Sequence, residues 1–264
     1  MTDYVTSELG DRIGFDREGS GPALLFVVGA GPYRAGDPHT TATARRAAEL
    51  GLTTLVYDRL GRGDSRVDGP ITLERELSAV AAVIGAAGGE AALCGHSSGC
   101  AIALAAAASG QPVTALVLFE APIGGIAGGA GAWAEEFRRR LEADERESAL
   151  QWYMKDMPPE SFEGARTSPG FAGMLAQLDG HLPDAEALAF AESAPLAELL
   201  GGIRVPVEAL VGTQSLPVMP VAAAAIAAAI PGATQGTIAA AFHQWEVDPM
   251  AAELARFVKA AVGA

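Results

Sequence analysis

With 264 residues the chain is long enough to bury the core of a single α/β domain. Its net charge of −14 argues against a nucleic-acid partner, because such partners are bound through clustered Lys and Arg. Half of the residues are hydrophobic, but alanine supplies much of this share, and the Ala-rich runs are too short and too weakly apolar to span a membrane.

The first residues and the two cysteines bear on the compartment and on possible metal binding. The first residues, Met1 to Tyr4, lack the basic segment followed by an apolar one that marks a secretory signal, so we expect a cytoplasmic protein. Cys94 and Cys100 are six positions apart and lack the spacing of metal ligands, so we expect two buried free thiols. The sequence therefore predicts no nucleic-acid or membrane partner and leaves the oligomeric state open.

The predicted elements begin with residues 4–15, whose length and turn residues are typical of an antiparallel hairpin at the edge of a sheet. Short, nearly continuous apolar runs follow and alternate with helix-like segments, which is typical of a parallel sheet covered on both faces. The predicted strands are residues 24–28, 53–57, 91–94, 115–119 and 207–211, with a weaker one at 237–239. The predicted helices are residues 41–50, 73–85, 98–109, 221–229 and 249–262. The fold class is therefore α/β, with a mostly parallel, doubly wound sheet.

The alternation of strands and helices stops between residues 122 and 202. This stretch is rich in aromatic residues, and Trp133, Phe137 and Leu141 have the spacing of one helix face. We predict a helical insertion laid over the carboxyl edge of the sheet. The predicted domains are a core of residues 1–121 and 203–264 and a helical cap of residues 122–202.

Residues 95–99 read Gly-His-Ser-Ser-Gly, which is the pattern Gly-x-Ser-x-Gly between a predicted strand and a predicted helix. On such a sharp turn the backbone of Ser97 is strained and its hydroxyl is exposed as a nucleophile. Side chains two positions before and after would collide, so Gly95 and Gly99 have a steric reason to be glycine. The alternative is an ordinary glycine-rich turn, which a chain with 32 glycines can produce by chance.

A dinucleotide-binding fold is the other doubly wound possibility. It needs Gly-x-Gly-x-x-Gly after the first strand of the parallel sheet. Residues 29–34 read Gly-Ala-Gly-Pro-Tyr-Arg and lack the third glycine. Such a fold also needs an acidic residue at the end of the next strand to bind the ribose, and Asp58 is the only candidate there. The missing glycine counts against this interpretation.

Several segments, taken in chain order, resemble the α/β-hydrolase superfamily, and the resemblance covers nearly the whole chain. Residues 24–32 resemble the oxyanion-hole loop of the family, although Val28 stands where the family often has histidine. Residues 57–65 resemble its Asp-x-Arg-Gly-x-Gly-x-Ser segment, and residues 242–249 are similar to the loop that delivers the catalytic histidine. The resemblance implies a hydrolase with Ser97 as nucleophile and a helical cap over the sheet.

The resemblance also implies a histidine that takes the Ser97 proton and an acid that orients this histidine. A neutral imidazole suits the first task at neutral pH, and of the four histidines only His243 lies in a loop after the final predicted strand. The usual acid position, after strand 207–211, holds no carboxylate, and Ser215 stands near it. Some family members, including certain haloalkane dehalogenases, supply the acid from the end of the preceding strand, which here leads to Glu120. We therefore predict a triad of Ser97, His243 and Glu120.

The backbone N–H groups of Ala30 and Ser98 are the predicted oxyanion hole. A serine nucleophile, where related dehalogenases and epoxide hydrolases use aspartate, indicates acyl transfer from an ester, thioester or lactone through an acyl-serine. We expect a small or medium apolar acyl substrate and no metal or organic cofactor. Three functions stay open: a serine hydrolase, a biosynthetic thioesterase, cyclase or lyase that reuses the triad, and a ligand-binding protein on the same scaffold.

Overall fold

A mostly parallel sheet forms the centre of the protein. The computed structural model describes residues 2–31 and 33–263, so Met1, Pro32 and Ala264, which entered the predictions above, lie outside the described residues. The strands of the sheet are β1 (Asp3–Thr6), β2 (Arg12–Gly19), β3 (Ala23–Val27), β4 (Thr53–Tyr57), β5 (Ala91–His96), β6 (Val113–Phe119), β7 (Val207–Gly212) and β8 (Thr234–Ile238). Within the described residues they pair in the order β1-β2-β4-β3-β5-β6-β7-β8.

The strand directions confirm the predicted α/β fold class. β1 and β2 form an antiparallel hairpin at one edge, and β2 runs antiparallel to β4. Every other neighbouring pair in the sheet, as far as the structure describes it, is parallel. A short antiparallel pair, β9 (Ala240–Ala241) and β10 (Gln244–Trp245), lies outside the main sheet.

Helices cover both faces of the sheet. They are α1 (Pro38–Glu49), α2 (Leu73–Ala87), α3 (Gly99–Ala108), α4 (Ala130–Glu142), α5 (Arg146–Tyr153), α6 (Pro159–Thr167), α7 (Phe171–Ala176), α8 (Leu182–Ala191), α9 (Leu196–Leu200), α10 (Val218–Ala229) and α11 (Val247–Val262). Successive side chains of a strand point to opposite faces. Leu24 and Phe26 of β3 therefore share a hydrophobic cluster with α1 and α11, whereas Leu25 and Val27 share the other cluster with α2, α3 and α10.

Helices α4 to α9 lie in the predicted insertion, between β6 and β7. Helix α8 packs against α2, α3 and α4. Its Ala185 and Leu188 are buried in the same cluster as Ile102 of α3, the helix that follows Ser97. The insertion thus reaches the region of the predicted nucleophile. The division into a core of residues 1–121 and 203–264 and a cap of residues 122–202 stays a prediction.

Helix α1 begins at Pro38, earlier than the predicted start at residue 41. The side chain of Asp37 accepts a hydrogen bond from the Thr40 N–H at 2.9 Å and caps the helix. Proline suits the first turn of a helix because its missing N–H has no partner there in any case. This local cap extends the helix beyond its apolar pattern.

Two simpler expectations concern the cysteines and the membrane. Cys94 and Cys100 are both free and buried, as predicted. None of the helices in the described part of the chain has the length and apolar character needed to cross a membrane. The cytoplasmic location stays a prediction.

Candidate active site

Ser97 lies on the sharp turn between β5 and α3. Its φ of 54° is in the left-handed region, where a non-glycine residue is strained. A Cβ on Gly95 would lie 2.7 Å from Cys100 Cα, and one on Gly99 would lie 2.1 Å from the Val27 carbonyl oxygen. The turn therefore needs glycine at both positions, as the sequence predicted, and Ser97 lies at the carboxyl end of a central strand.

Glu120 and His243 meet at the same edge of the sheet. Glu120 directly follows β6, and its Oε2 accepts a hydrogen bond from His243 Nδ1 at 2.5 Å. Its Oε1 accepts one from the Gly212 N–H at 3.0 Å, and the residue is only 2% exposed. Because an ionised carboxylate can only accept, Nδ1 carries the proton, and the lone pair on Nε2 stays available for a second hydrogen. Two of the three predicted triad residues are thus in direct contact.

Ser215, near the usual acid position, lies close enough to Glu120 to act on the pKa of its carboxyl group. Burial acts to raise the pKa of Glu120, but interactions with His243, Ser215 and the Gly212 N–H outweigh it and hold the pKa below its ordinary value. Glu120 is therefore ionised at neutral pH. The carboxylate in contact with His243 is that of Glu120, as predicted for the triad acid.

The Ser97 hydroxyl makes no hydrogen bond to His243, or to any other group, within residues 2–31 and 33–263. A nucleophile and its base often reach hydrogen-bond distance only when substrate is bound. The loop that carries His243 is strained, because Phe242 and His243 have φ values of 54° and 63°. Such a conformation persists only where neighbouring groups hold it.

His96, the residue before Ser97, contacts this loop. Its Nε2 donates a hydrogen bond to the His243 carbonyl oxygen at 3.1 Å, and the centroids of the two rings are 4.8 Å apart. Burial and the nearby His243 lower the pKa of His96 to about 4, so its ring is neutral at pH 7. The sequence prediction gave His96 no role, and its only signal was its position beside Ser97.

The two predicted oxyanion-hole residues, Ala30 and Ser98, are in contact with each other. The Ser98 N–H has no acceptor within the described residues. The Ala30 N–H donates to the Ser98 hydroxyl oxygen at 3.1 Å, so this group already has a partner. The Ser98 hydroxyl in turn donates to Asp184 Oδ1 at 2.7 Å. This second contact was not predicted, because Asp184 belongs to the insertion and lies 86 positions further along the chain.

Four buried charged side chains lie behind the loop that contains Ala30. Asp184 accepts hydrogen bonds from Arg59 Nη1 at 2.5 Å and from Arg62 Nη2 at 2.9 Å, and Glu76 accepts one from Arg59 Nε at 3.2 Å. Burial acts to raise the pKa of Asp184, but the two guanidinium groups outweigh it and hold the pKa below its ordinary value. Two cations and two anions therefore compensate one another in a buried network.

An open cavity of about 570 Å³ lies beside His243. Tyr33, Trp245 and Met174 contribute apolar and aromatic surface to its lining. Phe242 also lines it and is 95% exposed. Because the Phe242 ring is almost fully exposed, its burial contributes little to the stability of the free protein, and its backbone conformation is strained. These four side chains together give the cavity an apolar surface next to His243, the predicted base.

A sequence profile of the α/β hydrolase family matches residues 24–259, which include β4 to β8 and all of the site residues described in this section. The chain belongs to this family. Among solved structures, an α/β hydrolase from Sphaerobacter thermophilus DSM 20745 is 32% identical, with a TM-score of 0.82 over 97% of this chain and 99% of that one. The protein is therefore a hydrolase.

More distant structures share the fold. An esterase from Thermogutta terrifontis is 23% identical, with a TM-score of 0.67 over 100% of this chain and 97% of that one. The enol-lactonase from Burkholderia xenovorans LB400 is 19% identical, with a TM-score of 0.60 over 99% of this chain and 98% of that one. A comparison with curated proteins gives no match.

Proposed function

We propose that the protein is a serine hydrolase that cleaves an ester, lactone or thioester through an acyl-serine intermediate. The observation that carries this proposal is the 2.5 Å hydrogen bond between His243 Nδ1 and Glu120 Oε2, which leaves Nε2 available as a base. Ser97 on its strained turn is the nucleophile that this base serves.

The reaction begins when Ser97 Oγ attacks the carbonyl carbon of the substrate and its proton passes to His243 Nε2. The ionised Glu120 stabilises the imidazolium that forms. When the tetrahedral intermediate collapses, the bond to the leaving oxygen or sulfur breaks and the leaving group takes the proton from His243. Water then attacks the acyl-serine with His243 as base, and the second collapse returns the proton to Ser97 and releases the acid.

The negative charge of each tetrahedral intermediate needs hydrogen-bond donors. The Ser98 N–H, which has no acceptor in the described part of the chain, supplies one. The Ala30 N–H supplies the second by sharing its hydrogen between the Ser98 hydroxyl and the oxyanion, since such three-centre bonds are common in proteins.

The substrate is a small molecule with an apolar group of small to medium size. The cavity beside His243 has room for such a group, and Tyr33, Phe242 and Trp245 present aromatic surface to it. Esterase and enol-lactonase relatives of the same fold support this range of substrates. The Glu120–His243 pair favours turnover over simple ligand binding.

Labelling with a fluorophosphonate probe tests the proposal. Wild-type protein and Ser109→Ala should be labelled, whereas Ser97→Ala should not. Ser109 is a suitable control because it caps the far end of α3, where its hydroxyl bonds, among the described residues, only to the Ala106 carbonyl oxygen. A panel of ester, thioester and lactone substrates, with product analysis, then identifies the reaction. A folded wild-type protein that stays unlabelled and turns over no substrate would refute the proposal.

A further inference from the structure

The backbone of residues 28–30 is held by side chains on one side and by Ser97 on the other. A Cβ on Gly29 would lie 2.9 Å from Ser97 Cβ, so the loop runs directly against the nucleophile. On its other side, Arg59 Nη1 donates to the Val28 carbonyl oxygen at 3.2 Å and Arg62 Nη1 donates to the Gly29 carbonyl oxygen at 2.7 Å. A shift of this loop would therefore change the surroundings of Ser97.

The next backbone group in the loop, the Ala30 N–H, is held by Ser98. The Ser98 hydroxyl has a single proton, and its neighbour Asp184 is a carboxylate that can only accept. The hydroxyl must therefore donate to Asp184 and turn a lone pair towards the Ala30 N–H, which can only donate. The ionised Asp184 thus sets the direction of the Ser98 hydroxyl.

The three side chains that hold the loop all bond to the same carboxylate. Arg59 and Arg62 bond to its carbonyl groups and Ser98 to the Ala30 N–H, and each of the three also bonds to Asp184. Asp184 is fully buried and lies on α8, a helix of the insertion. No other described acidic residue contacts all three of these side chains.

We propose that Asp184 is a positioning residue for the oxyanion hole, which it holds through Ser98, Arg59 and Arg62. The inference rests on the proposed function. Asp184 does not touch the substrate. It keeps the Ala30 N–H at the distance from Ser97 that stabilises the oxyanion, and it makes the oxyanion hole depend on the docking of the insertion against the core.

Steady-state kinetics of Ser98→Ala and Asp184→Asn on 4-nitrophenyl acetate test the proposal. Ser98→Ala is the sharper variant, because it removes only the hydroxyl and keeps the Ser98 N–H. Loss of a whole oxyanion-hole donor costs about 10²–10³ in kcat, so loss of its positioning should cost about 10–100-fold, with KM changed by less than about twofold. Affinity for a trifluoromethyl ketone, which forms a tetrahedral adduct with serine, should fall in parallel with kcat.

Asp11→Asn is the matched control. Asp11 is also a buried carboxylate held by an arginine, Arg75, but it lies at the hairpin of β1 and β2, outside the site. This variant should lower the melting temperature and leave kcat unchanged. If Asp184 had only a structural role, Asp184→Asn and Ser98→Ala would also lower the melting temperature and leave kcat unchanged.

The outcomes separate this inference from the proposed function. If wild-type protein hydrolyses the ester and Ser98→Ala keeps its kcat within about twofold, or changes only KM, the positioning role is refuted and the proposed function stands. If folded wild-type protein neither hydrolyses the ester nor reacts with a fluorophosphonate, the proposed function fails, and the positioning role fails with it. A parallel loss of kcat and of ketone affinity in Ser98→Ala supports both.

Discussion

His243 Nδ1 donates a hydrogen bond to Glu120 Oε2 at 2.5 Å, across 123 positions of the sequence. The carboxylate beside His243 thus comes from the residue after β6, and it also accepts a hydrogen bond from the N–H of Gly212, the last residue of β7. This arrangement keeps an anion beside the histidine although the loop after β7 contains no carboxylate.

Glu120→Gln should lower kcat by about 10⁴-fold, because the neutral amide neither stabilises the imidazolium nor fixes the tautomer. Ser215→Ala removes a neutral hydroxyl that helps to keep the pKa of Glu120 low, and it should lower kcat by no more than about fivefold. Steady-state assays of the two purified variants measure both changes in kcat. The reverse ranking would show that Ser215, and not Glu120, is essential to the triad.

Phe242→Ala should raise KM for esters with aromatic or long apolar groups by about tenfold and leave KM for acetate esters nearly unchanged. Phe242 lines the cavity but is 95% exposed, so its removal should not change the melting temperature. Val221→Ala is the control, because Val221 is also exposed but is not among the residues that line this cavity. Equal effects of the two variants on KM would exclude Phe242 from the substrate site.

Gly99→Ala should destabilise the protein by about 1–3 kcal/mol, because the new Cβ would lie 2.1 Å from the Val27 carbonyl oxygen. Gly131→Ala is in helix α4, and beyond its own helix backbone and chain neighbours no described heavy atom lies within 4 Å of its Cβ position, so it should instead stabilise the protein by up to about 1 kcal/mol. Urea denaturation measures both changes. A neutral Gly99→Ala variant would contradict the tight contact between the turn and β3.

The protein should lose stability in acid partly through His181. Burial and the charge of Arg62 lower the pKa of His181 to about 3, so the unfolded chain binds this proton more readily than the folded protein. The free energy of unfolding should therefore fall as the pH drops from about 6.5 towards 3, by about 1.4 kcal/mol for each pH unit from this residue.

Denaturation of wild-type protein and His181→Gln at several pH values between 7 and 4 measures that contribution. The variant should show a shallower pH dependence than the wild type. Equal slopes would mean that His181 does not keep its low pKa in the folded protein.

Local patterns were enough to predict the sheet, the edge hairpin and the glycines of the turn at Ser97. The strands that follow the hairpin are nearly continuous apolar runs because both faces of the sheet are covered, and the collisions at Gly95 and Gly99 involve atoms close to the turn or to the adjacent strand. Glu120 was predicted from the sequence because the loop after β7 holds no carboxylate, and the structure places it against His243.

Tertiary packing alone brought Asp184 to Ser98 and His96 to the carbonyl group of His243. These contacts join residues 86 and 147 positions apart, and no periodicity or motif marks either pair. The Ala30 N–H donates to the Ser98 hydroxyl, and this hydroxyl meets Asp184 only after α8 has packed on α3. A sequence pattern records which residues follow one another along an element, whereas these hydrogen bonds depend on how separate elements are oriented in the folded protein.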